Sequence, residues 1–170
     1  GMRVDVEAIS RAQTEQRVEY ALALRKIKPI LATALTTVWK GEPSLQLTKY
    51  EKWYEKGRDR YLKLIKQFAA LPDDLSDYDL VNFGVRSPAG KGWSGKDVDA
   101  VNLSHYMSMR VILFEILGLK AMVQAKKIQS DNEARDRLKV KAKEAGNTLA
   151  VELLDCYKIL GDIDQCLKLY

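Results

Sequence analysis

This chain of 170 residues predicts an all-α fold: a four-helix bundle with a long irregular connection between helices two and three and a short C-terminal helix. Three observations carry that expectation. Apolar residues recur at steps of three and four, alternating β-branched runs are missing, and only four prolines, at 29, 43, 72 and 88, punctuate the chain. With 46% hydrophobic and 30% charged residues, the composition suits one globular domain over residues 2–170. Gly1 ahead of Met2 reads as an added residue outside that domain.

The first helix is expected from Asp5 to Lys40, with Ile27, Ile30, Leu31, Ala34, Leu35 and Val38 on its buried side. Pro29 has no N–H to donate and crowds the preceding turn, so a kink or break is expected near Lys28. Gly41 is a stop signal. The second helix is expected from Pro43 to Ala70. Tyr50, Trp53, Tyr54, Tyr61, Leu64, Ile65 and Phe68 share one face, and a lysine-rich stripe runs beside it. Pro72 ends it.

Residues 71–96 are irregular, opening with Asp73, Asp74, Asp77 and Asp79 and turning basic and glycine-rich, with room for a short helix around "DLSDYDLVNF". The third helix is expected from Gly95 to Ile128, apolar nearly all round at its centre and therefore central in the fold. The fourth follows a capping box of Ser130 and Glu133 and runs through Leu138, Ala145, Leu149, Leu153 and Cys156 to Leu160. Gly161 should break it and leave "DIDQCLKLY" as the terminal helix.

The stretch "GKGWSGKD" nearly spells a phosphate-binding loop. Gly90, Gly95 and Lys96 fit the spacing, but Asp97 stands where the magnesium-binding hydroxyl belongs, and no parallel strand precedes the glycines. Ser94 with Asp97 reads better as a helix N-cap pair, with Asp97 and Asp99 at the positive end of the helix dipole. A weaker anion site survives in Arg86, Lys91, Ser94 and Lys96 around that helix start.

His105 is the only histidine, so a multi-histidine metal site is excluded, and Asn102 three residues earlier removes the Glu-x-x-His motif of di-iron bundles. It is expected on the helix face of Val101, Met109, Ile112 and Ile116, as a hydrogen-bonded core histidine or, less simply, a general base. Cys156 and Cys166 are too few for a disulfide scaffold and read as reduced, buried thiols. No cofactor or metal is implied.

Net charge is +5, and it is concentrated. From Lys49 to Lys66 there are seven basic and three acidic residues, and from Lys120 to Lys143 eight and three. Lys52, Lys56 and Lys63 in the first cluster, and Lys126, Lys127, Arg135, Lys139 and Lys143 in the second, are the candidate nucleic-acid contacts. Solvated helix faces are the competing reading of the same lysines, because acidic residues lie within four positions of many of them.

Three functions are compatible with this pattern. One is a non-catalytic helical protein that binds nucleic acid or another polyanion through lysine-rich faces. Another is a protein–protein module, including a homodimer. The third is a small anionic-ligand binder or enzyme using the loop 84–97. The most apolar run, residues 111–123, is too short for a bilayer and carries Glu115 and Lys120, and no signal peptide is seen, so a cytoplasmic location with no membrane partner is expected.

Overall fold

The computed structural model describes the backbone of residues 6–84, 103 and 105–167, and the side chains of 14–81, 103 and 105–163. The fold is mostly helical, as the periodicity requires. Among the described residues there are seven α-helices, one π-helical turn and one two-stranded ribbon. None of these helices is long and apolar enough to cross a membrane.

Helix α1 spans Val6–Thr37 and would be about 48 Å long at 1.5 Å per residue. Of the expected kink or break at Pro29, the break does not occur: the helix continues through it. Proline in a helix interior costs about 3 kcal/mol. Here the apolar face is buried on both sides of it: Tyr20, Leu24 and Ile27 before, Leu31 and Ala34 after, while Pro29 faces solvent. Burying several such side chains, at roughly 1.5–3 kcal/mol each, exceeds that cost.

The expected second helix is two helices. Ser44 caps α2 (Leu45–Tyr50), its hydroxyl accepting from the Leu47 amide at 3.2 Å. Glu51 is extended (φ −120°, ψ 101°), and α3 begins at Tyr54 and ends at Ala69. The aromatic face of α3 fills the core with Tyr54, Ile65 and Phe68, as its spacing required. Asp77–Gly84 forms α4, capped by Ser76 through the Asp79 amide, within the stretch expected to hold a short helix.

The third helix ends earlier than its apolar pattern suggested. Within the described residues α5 covers Tyr106–Arg110 and passes into a π-helix, Val111–Ile116, closed by the Leu117 amide donating to the Ile112 carbonyl at 2.9 Å. Every residue of that turn is buried. Gly118 then takes the left-handed conformation (φ 67°) and the chain straightens. Strands β1 (Val123–Gln124) and β2 (Lys127–Ile128) pair antiparallel across a two-residue turn in which Ala125 and Lys126 both have positive φ. Alanine and lysine seldom occupy such a turn, so nothing local announced it.

The fourth helix is likewise divided. Its N-cap is Asp131, accepting from the Ala134 amide at 2.9 Å, and not Ser130, whose hydroxyl is buried and accepts from Arg110. Helix α6 (Asn132–Glu144) stops before Gly146 (φ 69°), and Asn147 restarts the chain by capping α7 (Thr148–Leu167) at the Ala150 amide. Gly161 does not break α7. It faces α6, where a Cβ would stand at ordinary contact distance, 3.6 Å from Asn132 Oδ1 and 3.7 Å from an Arg135 nitrogen. Helix α1 is the organising element, packed on α3, α4 and α7, with α6 laid on α7.

Candidate polyanion-binding surface

Two carboxylates, one buried and one partly buried, hold the segments on which the lysines of α2 and α3 stand. The first is Glu115 on the π-helix, its side chain wholly buried. Trp39 Nε1 donates to its Oε2 at 2.8 Å. Arg58 Nε donates to Oε1 at 2.5 Å and its Nη2 to Oε2 at 3.2 Å. The Tyr54 hydroxyl donates to Oε1 and in turn accepts from the Ser44 amide at 2.8 Å. Burial, then the hydrogen bond to Glu115, push the Tyr54 phenol up to about 12. The hydrogen bond to Glu115 raises the Arg58 guanidinium further still. A π-turn is frequently associated with functional sites. This one holds a carboxylate saturated by four donors, so it acts as a structural anchor that sets the rotation of α3.

The second carboxylate is Glu51, in the break between α2 and α3. Trp53 Nε1 donates to it at 2.9 Å and Arg110 Nη1 at 2.6 Å. Arg110 also donates from Nη2 to the Ile128 carbonyl at 3.0 Å and from Nε to the Ser130 hydroxyl at 3.1 Å. Its guanidinium lies 4.8 Å from the centre of the Tyr106 ring. One arginine thus clasps the α2–α3 corner to the β-ribbon. A second clasp is Gln46, whose side chain donates to the Ala121 carbonyl at 3.2 Å and accepts from the Ala121 amide at 2.7 Å. The Glu51 kink is therefore a tertiary feature: the residue leaves the helix to reach Arg110.

The consequence is electrostatic. Lys52 follows Glu51 directly, and Lys126 and Lys127 precede Ile128, so Arg110 ties together two chain segments, over seventy residues apart in sequence, that carry these lysines. Lys52, Lys56, Lys63, Lys126 and Lys127 are all exposed and make no ion pair among the described residues. Lys56 and Lys63 project from the solvent side of α3, opposite Tyr54, Ile65 and Phe68.

The row on α6 is different. Arg135, Lys139 and Lys143 do share a face, but that face leans toward α7. Arg135 donates to the Ser130 carbonyl at 2.7 Å and to Asn132 Oδ1, and lies 3.2 Å from Met109 Sδ. Burial lowers its pKa. Lys139 pairs with Asp155 of α7. Of the three, only Lys143 is exposed.

His105 is not on an apolar helix face. It is the N-cap of α5 (φ −69°, ψ 137°), its Nδ1 accepting from the Met107 amide at 3.3 Å and its ring 4.8 Å from that of Tyr106. Partial burial lowers its pKa. A capping acceptor is a structural task. Cys156 is a buried free thiol whose pKa burial raises. The candidate anion residues Arg86, Lys91, Ser94 and Lys96 lie outside the described residues, as does the near-phosphate-loop sequence. Among the described residues no three His, Cys, Asp or Glu side chains cluster as metal ligands would.

Sequence reasoning missed Arg110, Glu115, Arg58 and Glu51. A signal existed for one of them: a lone glutamate in an apolar helix core needs a buried partner. Comparisons with protein-family models, curated proteins and solved structures find no match to this chain.

Proposed function

We propose that this protein is a non-catalytic helical protein that binds nucleic acid or another polyanion through the lysine-bearing surface formed by the α2–α3 corner, the outer face of α3 and the β-ribbon, with α1, α3, α6 and α7 as its bundle helices. The observation that supports this reading is the Arg110 clasp, which ties the corner that carries Lys52 to the strand at the end of the Lys126–Lys127 segment. A phosphate backbone is recognised by lysines spaced along a surface rather than gathered in a pocket. Lys56 and Lys63, two turns apart on α3, extend that surface by about 10 Å. The non-catalytic part of the reading is supported by Glu115, whose four donors leave no lone pair aimed at solvent for acid–base work.

The test is binding of a fluorescently labelled 20-nucleotide single strand, followed by anisotropy across a salt series. Affinity should fall with salt at a slope of about 0.7 per phosphate contact. Lys52→Glu combined with Lys127→Glu should weaken binding at least tenfold, and that slope should drop by about 0.7 for each lysine removed. Absence of binding to single- and double-stranded nucleic acid and to heparin at low salt would end the proposal.

A further inference from the structure

Resting on the lysine-surface reading and narrowing its ligand, we infer that the aromatic cluster of Trp53, Tyr61 and Tyr106, where α3 meets α5, is a stacking site for the unpaired bases of a single-stranded nucleic acid. The Trp53 ring centre lies 5.8 Å from that of Tyr61 and 6.4 Å from that of Tyr106, and both pairs meet edge to face. The Tyr61 hydroxyl donates to Met107 Sδ at 3.1 Å and ties the cluster to α5. Tyr54 is buried and bonded to Glu115, but these three rings reach the surface: Tyr106 is 44% exposed, and Trp53 and Tyr61 are part-buried.

Gly57 marks the open side of the cluster. It lies inside α3 with ordinary helical backbone, its amide donating to the Trp53 carbonyl at 2.8 Å. A Cβ there would rest 3.4 Å from Tyr61 Cε2 and 3.6 Å from Trp53 Cε3, which is ordinary contact. Neither the chain path nor the packing calls for glycine, and glycine inside a helix is less stable than alanine. Its missing side chain leaves the rims of both rings uncovered at a part-exposed position.

Charge selects the occupant. Edge-to-face rings also suit a methylated ammonium group, which is held by cation–π attraction. Here, however, the border is basic. Lys52 precedes Trp53 in the chain. At about 100° per residue, Lys56 and Arg60 fall within about 60° of Trp53 around α3, whereas the acidic Glu55 and Asp59 fall about 120° or more away. The Glu51 carboxylate is already taken by Arg110 and Trp53 Nε1. Such a border repels a cation. It matches a ligand with flat rings on an anionic backbone: a base against Trp53 or Tyr61, phosphates against Lys52, Lys56 and Arg60. In a duplex the bases are stacked on one another and out of reach, so the ligand is single-stranded.

The experiment measures, by fluorescence anisotropy, binding of a labelled strand of twenty thymidines and of an abasic strand with the same phosphates. The wild type should bind the thymidine strand at least fivefold more tightly. Gly57→Leu, whose side chain would lie on the two rings, should bring the thymidine strand down to the abasic affinity and leave the abasic affinity unchanged, with circular dichroism to verify folding. The thymidine strand should quench tryptophan emission, and Trp53→Phe should remove that quenching. Equal affinity of the wild type for the two strands overturns the inference and leaves the lysine surface standing. So does a base preference that survives Gly57→Leu, or quenching that survives Trp53→Phe, because the bases would then stack elsewhere. Binding of heparin or duplex but of neither strand also overturns it, and binding of no polyanion at all ends both readings.

Discussion

Two rows of basic residues, laid out with nearly the same helical spacing, meet opposite fates in this protein. On α3, Lys56 and Lys63 stand in solvent. On α6, Arg135 is tied to Ser130 and Asn132, and Lys139 to Asp155. The difference does not lie in the rows. It lies in how each helix is rotated. Arg58, on the inner side of α3, reaches Glu115 and turns its neighbours outward. Helix α6 has no such inward anchor and presses its basic face along α7. Periodicity therefore locates a charged stripe, and packing decides whether it meets water or protein.

The strongest way to break that contrast is to remove the anchor. Glu115→Ala leaves the Arg58 guanidinium and the Tyr54 hydroxyl facing an apolar core. It should cost about 3–5 kcal/mol in urea unfolding, with loss of polyanion binding as α3 loses its fixed rotation. A variant as stable as wild type would show that Glu115 does not set the position of α3.

Next in size is Arg135→Ala, which strands the Ser130 carbonyl. We expect a loss of about 1–3 kcal/mol with nucleic-acid affinity unchanged. If affinity fell while stability held, the α6 row would belong to the binding surface after all.

The pH dependence of the Glu115 cluster sharpens the comparison further. A free tyrosine loses its proton near 10, but folded Tyr54 holds its own to about 12. The folded pKa is the higher one, so this contribution is complete below pH 10 and is lost as pH rises from 10 through about 12. Melting temperature should fall over that interval, and fall less steeply in Tyr54→Phe. Equal slopes for the two proteins would mean that the phenol is not coupled to folding. Tyr157, pushed up by complete burial, contributes to both proteins alike.

The smallest effects belong to the outer part of the α6 row. Lys139→Ala should cost between about 0.2 and 1 kcal/mol, because its partner Asp155 is half exposed. Lys143→Ala should remain within about 0.5 kcal/mol of wild type. A larger loss at Lys143 than at Lys139 would contradict the assignment of the inner pair to α7.

What the residues alone determined was the content of each face. Steps of three and four placed Ile27, Leu31, Phe68, Leu138 and Leu153 in the core, and all five are buried, whereas Val38 and Ala145, expected on the same faces, lie at helix ends and are exposed. The all-helical class followed from the same steps. Where helices stop was less legible. Pro29 and Gly161 looked like breaks and are not, because packing on either side outweighs a lost hydrogen bond or a flexible residue. The break at Glu51 and the turn at Ala125–Lys126 carried no sequence signal: Glu51 leaves the helix toward Arg110, from elsewhere in the chain, and the ribbon that the turn closes is held by Arg110 at Ile128. The tie between the corner after Glu51 and the strand at Ile128, made by Arg110, was likewise a decision of the tertiary structure. Periodicity is a property of neighbours within one helix, whereas the meeting of two charged segments depends on long-range clasps.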